Sequence, residues 1–450
     1  MKRKADPVFY RKFLKIYAAL VLQNVVTLSV NLADNMMLGA YSETALSGVA
    51  AVNQIQFIYQ QLLMALGDGL VIFCSQYWGK RQTEPMKKIA AAAMHAGLLI
   101  AAVLFALVSI FPRQVVGIFT TQESIIREGV SYLSIIRFTY LFFAVTQILL
   151  ATLRSVEVVK IAFQLSVMTF FINCGINYVL IYGRFGAPEM GAAGAAVGTL
   201  TARAAELFVL IIYIIKKERQ LHLSVRSYLQ HDRILSGDYF RVTAPMLVVQ
   251  GLWGVNTALQ TVILGHMTAA AIAANSVAST VFMMVKSMAV GAASTASILI
   301  GNTIGTGDID LVKEYSGRLQ RIFVVIGLLS GLLLFLIRVP ILQLYDLSAS
   351  TKEMANTFLL ILSVVVIGMS YQMPTNNGII RGGGNAMFVV KMDLISIWGI
   401  VIPLSFVMAF VVKASPAVVV CCLNADQIFK CIPAFLESHY GNWIRKLTRE

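Results

Sequence analysis

An acidic side chain inside an apolar run is expensive to bury and marks function by default. Asp34 is the clearest case in this chain, near the end of the run Phe13–Leu38. Asn177 lies at a matching depth in the run Ile161–Tyr182, with Asn173 one helical turn below it on the same face. A carboxylate among carboxamide oxygens can coordinate Na⁺, and it can equally take up and release a proton. Asp34, Asn173 and Asn177 are therefore the expected cation- or proton-binding set.

Other polar residues fall in stripes. Thr27 and Asn31 precede Asp34 at helical spacing, and Gln54, Gln61 and Asp68 recur along one face of the next run. In the second half of the chain the stripes supply Gln260, Lys286 and Gln372. An unsatisfied polar group facing lipid costs several kcal/mol. These residues are thus expected to line a shared, partly hydrated cavity. Lys286 could hold an anionic group there or neutralise Asp68. Arg203 and Glu206, three apart on one helix, can satisfy each other. Asp393 and Asp426 lie on no stripe and receive no role.

The remaining motifs exclude more than they assign. The five cysteines all fall in apolar runs without metal-ligand spacing, so no metal site is expected. Gly301…Gly305-Thr-Gly307 and Arg381-Gly-Gly-Gly lack the Lys of a phosphate loop and read as tight interhelical turns. There is no nucleotide site, no bound cofactor and no Ser-His or paired-acid constellation, so the chain does not read as an enzyme.

The elements that must position these residues are membrane helices. Hydrophobic residues make up 58% of the 450 and charged residues 13%, against about 25% charged in a soluble domain. Mean hydropathy is +0.76. Runs of about 20 apolar residues, each long enough to cross a bilayer, recur along the chain. Twelve are expected, from Phe13–Leu38 to Ser415–Leu436. The net charge of +14 is unevenly placed, in clusters such as Lys2-Arg3-Lys4, Lys80-Arg81 and Lys216-Lys217. With both termini in the cytoplasm, about 25 Lys and Arg fall on the inside and about six outside, the positive-inside bias. The basic charge thus answers to a bilayer, and no nucleic-acid partner is expected. The basic start reads as a cytoplasmic entry into a retained first span.

The chain also repeats itself. Asn31…Leu38-Gly39 with Gln76-Tyr-Trp-Gly79 is echoed by Thr257…Leu264-Gly265 with Asn302-Thr-Ile-Gly305, a shift of about 226 residues, as in duplicated transporters. Six spans per repeat make the halves parallel. The expected fold is all-α and polytopic, with two pseudo-symmetric six-helix lobes. Residues 1–215 form the first lobe, 216–238 a cytoplasmic linker and 239–450 the second.

These landmarks carry a family resemblance over nearly the whole chain. Asp34-Asn-Met-Met-Leu-Gly39, Gln76-Tyr-Trp-Gly79, Asn177-Tyr-Val-Leu-Ile-Tyr-Gly183, Gly186-Ala-Pro188-Glu-Met-Gly191-Ala-Ala-Gly194 and Arg381-Gly-Gly-Gly-Asn385 resemble the multidrug and toxic compound extrusion (MATE) family. The resemblance implies a secondary antiporter of the cell membrane, driven by H⁺ or Na⁺, that exports amphipathic, often cationic organic compounds. Its partners would be those substrates and the bilayer, with the chain a monomer. The runner-up is a flippase for a lipid-linked precursor. Some family members place coupling carboxylates on spans seven and ten, where this chain has Gln250, Gln260, Gln372, Asn376 and Asn377 and no acid. Others use an acid on span one with an Asn and an Asp on span five. Here Asp34 and Asn173 match that pattern and Asn177 replaces the second acid. A single carboxylate is a thin site for Na⁺ and favours H⁺.

Overall fold

The structure, a computed structural model, describes residues 7–230, 232–265, 267, 269–343 and 348–449. The Lys2–Lys4 cluster lies outside them. The described residues are almost wholly helical, and their single β-type pairing is an isolated bridge between Gly384 and Ile444. In chain order the helices are α1 (Pro7–Tyr41), α2 (Glu43–Gly79), α3 (Thr83–Ile110), α4 (Pro112–Gly117), α5 (Glu123–Ile136), α6 (Thr139–Ser155), α7 (Lys160–Ile181), α8 (Gly191–Lys217), α9 (Arg233–Gly265), α10 (Ala269–Thr306), α11 (Ile309–Gln343) and α12 (Ala349–Met373). Two further spans follow, Ala386–Val411 and Pro416–Tyr440.

Among the described residues, ten helices are long and apolar enough to cross a membrane, and the bent pair α5 and α6 passes the same test when taken together, which makes eleven if the pair is one span. The expected seventh span, Phe240–Leu264, falls inside α9, which is 33 residues long. Gln250, Trp253, Asn256, Thr257 and Gln260 dilute its apolar character. At ~1.5 Å per residue α1 and α10 reach beyond the ~30 Å hydrocarbon core, so their ends project from it.

One expected span is not straight. The run Val130–Leu153 breaks between α5 and α6 with a bend of 53°. No Pro or Gly lies at the break. Instead the Thr139 hydroxyl donates to the Ile136 carbonyl at 2.6 Å, and the Tyr59 hydroxyl on α2 donates to the Tyr140 carbonyl at 2.5 Å. Side chains inserted into the main-chain ladder are a recognised cause of kinks.

The chain forms two compact units. One comprises Leu22–Cys74 and Gln82–Thr243. Within it Leu63, Leu66 and Ile148 are wholly buried about Gly97, where α2, α3 and α6 meet. Between α7 and α8 the backbones approach so closely that a Cβ on Gly194 would sit 2.8 Å from the Leu180 carbonyl oxygen. Polar tethers order the linker. Glu218 accepts from the backbone N–H of Gln220, Leu221 and Leu223. Asp232 accepts from the N–H of Ile234 and Leu235 and from the Lys88 ammonium. Those donors hold the Asp232 carboxyl below its ordinary value.

The other unit comprises Met1–Val21, Ser75–Arg81 and Ala244–Glu450. Its core joins Val281 and Val285 of α10, Leu334 of α11 and Phe358, Leu362 and Val366 of α12. Here the repeated landmarks pack on each other. A Cβ on Gly79 would lie 2.1 Å from the Asn302 carbonyl oxygen and 2.7 Å from the Gly305 Cα. Gly301 likewise leaves room for Ser75. Gly301 and Gly305 are therefore close-approach points inside α10, not the turn expected for them; only Gly307, with φ 86°, takes a left-handed turn conformation. After α12, Pro374 cannot donate to the ladder, and residues Pro374–Ile380 form a π-helical turn.

Candidate functional site

α1 and α7 carry the expected set to one place. Asn177 Nδ2 donates to Asp34 Oδ1 at 2.6 Å and lies 3.2 Å from Asn173 Oδ1. Asn173 in turn donates to the Thr199 hydroxyl on α8 at 3.1 Å. Asn173 and Asn177 are buried while Asp34 is half-buried, so the carboxylate is the reachable end of a buried amide relay. Asn177 Oδ1 has no hydrogen-bond partner among the described residues. It rests against Gly198, where a Cβ would lie 1.9 Å away. Gly198 is a site residue that sequence reasoning missed. A glycine within an apolar helix was its only signal.

Asp34 opens into a cavity of about 70 Å³. A buried water needs ~10–15 Å³ by such a measure, whereas drug-sized ligands occupy clefts of ~300–1,000 Å³. The cavity therefore suits a few waters or a monovalent cation. Of the expected cavity residues it takes Asn31, while α2 contributes Asn53, Gln56 and Gln60. Those three share a helix face turned away from the expected Gln54–Gln61–Asp68 stripe. Tyr59, Tyr132, Tyr140 and Arg203 complete much of the wall.

The other expected residues of this unit lie elsewhere. Thr27 returns its hydroxyl to the Gln23 carbonyl at 2.9 Å. Gln54 is exposed and Gln61 half-buried. Asp68 faces Arg154, with 3.9 Å between charged atoms.

Gln260, Lys286 and Gln372 belong to the second unit. Gln260 is half-buried. The Lys286 ammonium lies 4.8 Å from the centre of the Trp253 ring, within cation–π range. Buried Gln372 accepts from Asn376 at 3.0 Å and donates to Gln427 at 2.8 Å. Gln427 continues to Asp426 at 2.9 Å. Lys430, only 3% exposed, then bridges Asp426 at 3.0 Å and Asp393 at 2.8 Å. The two acids without a stripe thus meet on one buried lysine, a convergence of separate spans that no local pattern announces. No group of three His, Cys, Asp or Glu that could hold a metal ion occurs among the described residues.

Comparison with known proteins agrees with this architecture. The MatE family model matches residues 19–179 and 245–407. A probable multidrug resistance protein of Bacillus subtilis, YoeA, is 26% identical over 92% of this chain and 89% of its own length. The probable multidrug resistance protein NorM of Thermotoga maritima is 25% identical over 100% of this chain and 97% of its own. Among solved structures, the eukaryotic MATE transporter AtDTX14 superposes with a TM-score of 0.83 at 17% identity, covering 96% of each chain. The Vibrio cholerae MATE transporter VcmN in its bent form gives 0.82 at 14% identity, again over 96% of each.

Proposed function

Because the chain belongs to the MatE family, we propose that it is a cation-coupled secondary antiporter exporting amphipathic, often cationic, organic compounds by alternating access. The observation that carries this reading is the 2.6 Å bond from Asn177 to Asp34 at the mouth of an ion-sized cavity. Coupling needs a group whose affinity for the ion differs between the two access states. A lone carboxylate against amides meets that need by gaining and losing a proton, so H⁺ is the favoured ion over Na⁺. The second unit supports the assignment from the other side. Lys286 stands at the repeat position of Gln60, which lines the Asp34 cavity. Where the first repeat can admit a cation, the second carries one covalently.

The organic substrate needs more room than the Asp34 cavity has, and the polar stripes with Lys286, Gln260 and Gln372 are its expected contacts. Two lobes, 1–215 and 239–450, would rock about it in the cell membrane, with both termini cytoplasmic and the chain acting as a monomer without enzymatic activity. The relatives' names, multidrug resistance proteins among them, lend nothing to a lipid-linked precursor as cargo.

Purified protein in liposomes, with proton and sodium gradients imposed separately, tests the reading. Asp34→Asn should leave the fold and substrate binding intact while abolishing gradient-driven accumulation. Accumulation by that variant at the wild-type rate would move the coupling residue elsewhere.

A further inference from the structure

An ion pair on α8 reaches the Asp34 cavity through one of its two members. Arg203 lines the same cavity. Its Nη1 lies 2.7 Å from Glu206 Oε2, one turn along the helix, and its guanidinium stacks 5.0 Å from the centre of the Phe143 ring. Glu206 is 4% exposed, so its charge is not dispersed by water. Arg203 also attracts the Asp34 carboxylate across the cavity. One guanidinium thus pairs with a carboxylate on α8 and shares a cavity with another on α1.

We propose that Glu206 and Arg203 are positioning residues that set how strongly the Asp34 site holds its single coupling cation. The assignment rests on Asp34 being the coupling residue. Glu206 and Arg203 offset each other, so a single negative charge remains, on Asp34 in its cavity of about 70 Å³. One proton or one monovalent cation neutralises it. A buried charge must be paired, and Glu206, being the more deeply buried acid, holds Arg203. Asp34, half-buried and open to the cavity, is left to recruit its cation from outside. Glu206 in this way supplies the second carboxylate whose place on α7 is taken by Asn177. It acts through Arg203 without touching the transported ion. An arginine suits the part because it stays charged at all working pH values.

The titratable groups about Asp34 on the packed elements are Tyr59 on α2, Tyr132 on α5, Tyr140 on α6, Cys174 on α7 and Arg203 on α8, with Glu206 paired to Arg203 one turn along. The tyrosines and the cysteine offer only hydroxyl and thiol groups, so the two carboxyl groups and the guanidinium set the electrostatics.

Coupled export in liposomes, measured per folded transporter against pH and against Na⁺, tests the proposal. In Glu206→Gln, Arg203 is released to Asp34 and competes with the ion. Half-maximal export should then need at least tenfold more coupling cation, one pH unit more acid if the ion is H⁺. Arg203→Gln removes the competitor and leaves two acids, so the requirement should fall at least tenfold. The double variant restores the single negative charge and should return to within threefold of wild type, as should Arg203→Lys. A merely structural ion pair would change the yield of folded protein and leave these midpoints alone. Midpoints within threefold of wild type in both single variants would overturn the assignment. If Asp34→Asn abolishes coupling while those midpoints stay fixed, only the roles of Arg203 and Glu206 fall. If Asp34→Asn still couples, the site itself is misassigned.

Discussion

Asn177 donates to Asp34 at 2.6 Å, tying α7 to α1 through a single amide hydrogen bond. The bond satisfies one lone pair of the acid and leaves the rest of the carboxylate open to the cavity. It also fixes which chemistry the site can perform, since the residue one turn along, Asn173, is again an amide and not an acid.

Asn177→Asp would place a second carboxylate against the first. Two carboxylates at that separation cannot both stay ionised without a cation between them. The variant should acquire a Na⁺ stimulation of export beyond that of wild type, read in liposomes at fixed pH. Unchanged sodium dependence would show that Asn177 does not face the transported ion.

Gly198 lets Asn177 reach Asp34. A Cβ at that position would lie 1.9 Å from Asn177 Oδ1 and 3.4 Å from the Asn173 carbonyl oxygen. Gly198→Ala should therefore push the amide off the acid. Overpacking of this kind costs about 1–3 kcal/mol, and coupled export should fall more steeply than substrate binding. Equal losses in both would point to general destabilisation of the α7–α8 contact.

Lys430 holds Asp426 and Asp393 together at 3.0 and 2.8 Å. Removing one partner from a buried charge cluster costs about 3–5 kcal/mol. Lys430→Met should lower the melting temperature in detergent, and adding Asp426→Asn should recover part of the loss. A melting temperature unaltered by Lys430→Met would mean that the cluster contributes nothing to stability.

Gln76 clamps the chain beyond the last helix. Its Nε2 donates to the Arg445 carbonyl at 3.1 Å, and its Oε1 accepts from the Leu447 N–H at 2.8 Å. Gln76 is wholly buried, and Trp443 in the segment it holds is 2% exposed and donates to the Ser438 carbonyl at 2.9 Å. Gln76→Ala leaves both main-chain groups orphaned, at about 1–3 kcal/mol each. Amide hydrogen exchange over 443–449 should accelerate while that of α12 stays slow. Unchanged exchange over that segment would show that other contacts hold it.

How far the sequence reached follows from the range of the forces involved. Spans were legible because burying an uninterrupted apolar run in lipid depends on local composition alone. The duplication was legible for a related reason: its glycines recur wherever backbones must touch, as Gly79 and Gly305 do. Asp34, Asn173 and Asn177 could be named from cost and depth, without knowledge of their neighbours. A hydroxyl on a stripe carries less information than an amide. Thr27 bonds to the carbonyl one turn back on its own helix, so a polar side chain there needs no cavity. What the tertiary structure alone decided is which polar face meets which. It chose Asn53, Gln56 and Gln60 over Gln54 and Gln61 for the Asp34 cavity, gave Asp68 to Arg154, and brought Asp393, Asp426 and Lys430 together from two spans. Helix rotation is set by packing against neighbours, and a rotation of one residue, about 100°, exchanges one polar face for another at no cost visible in the sequence.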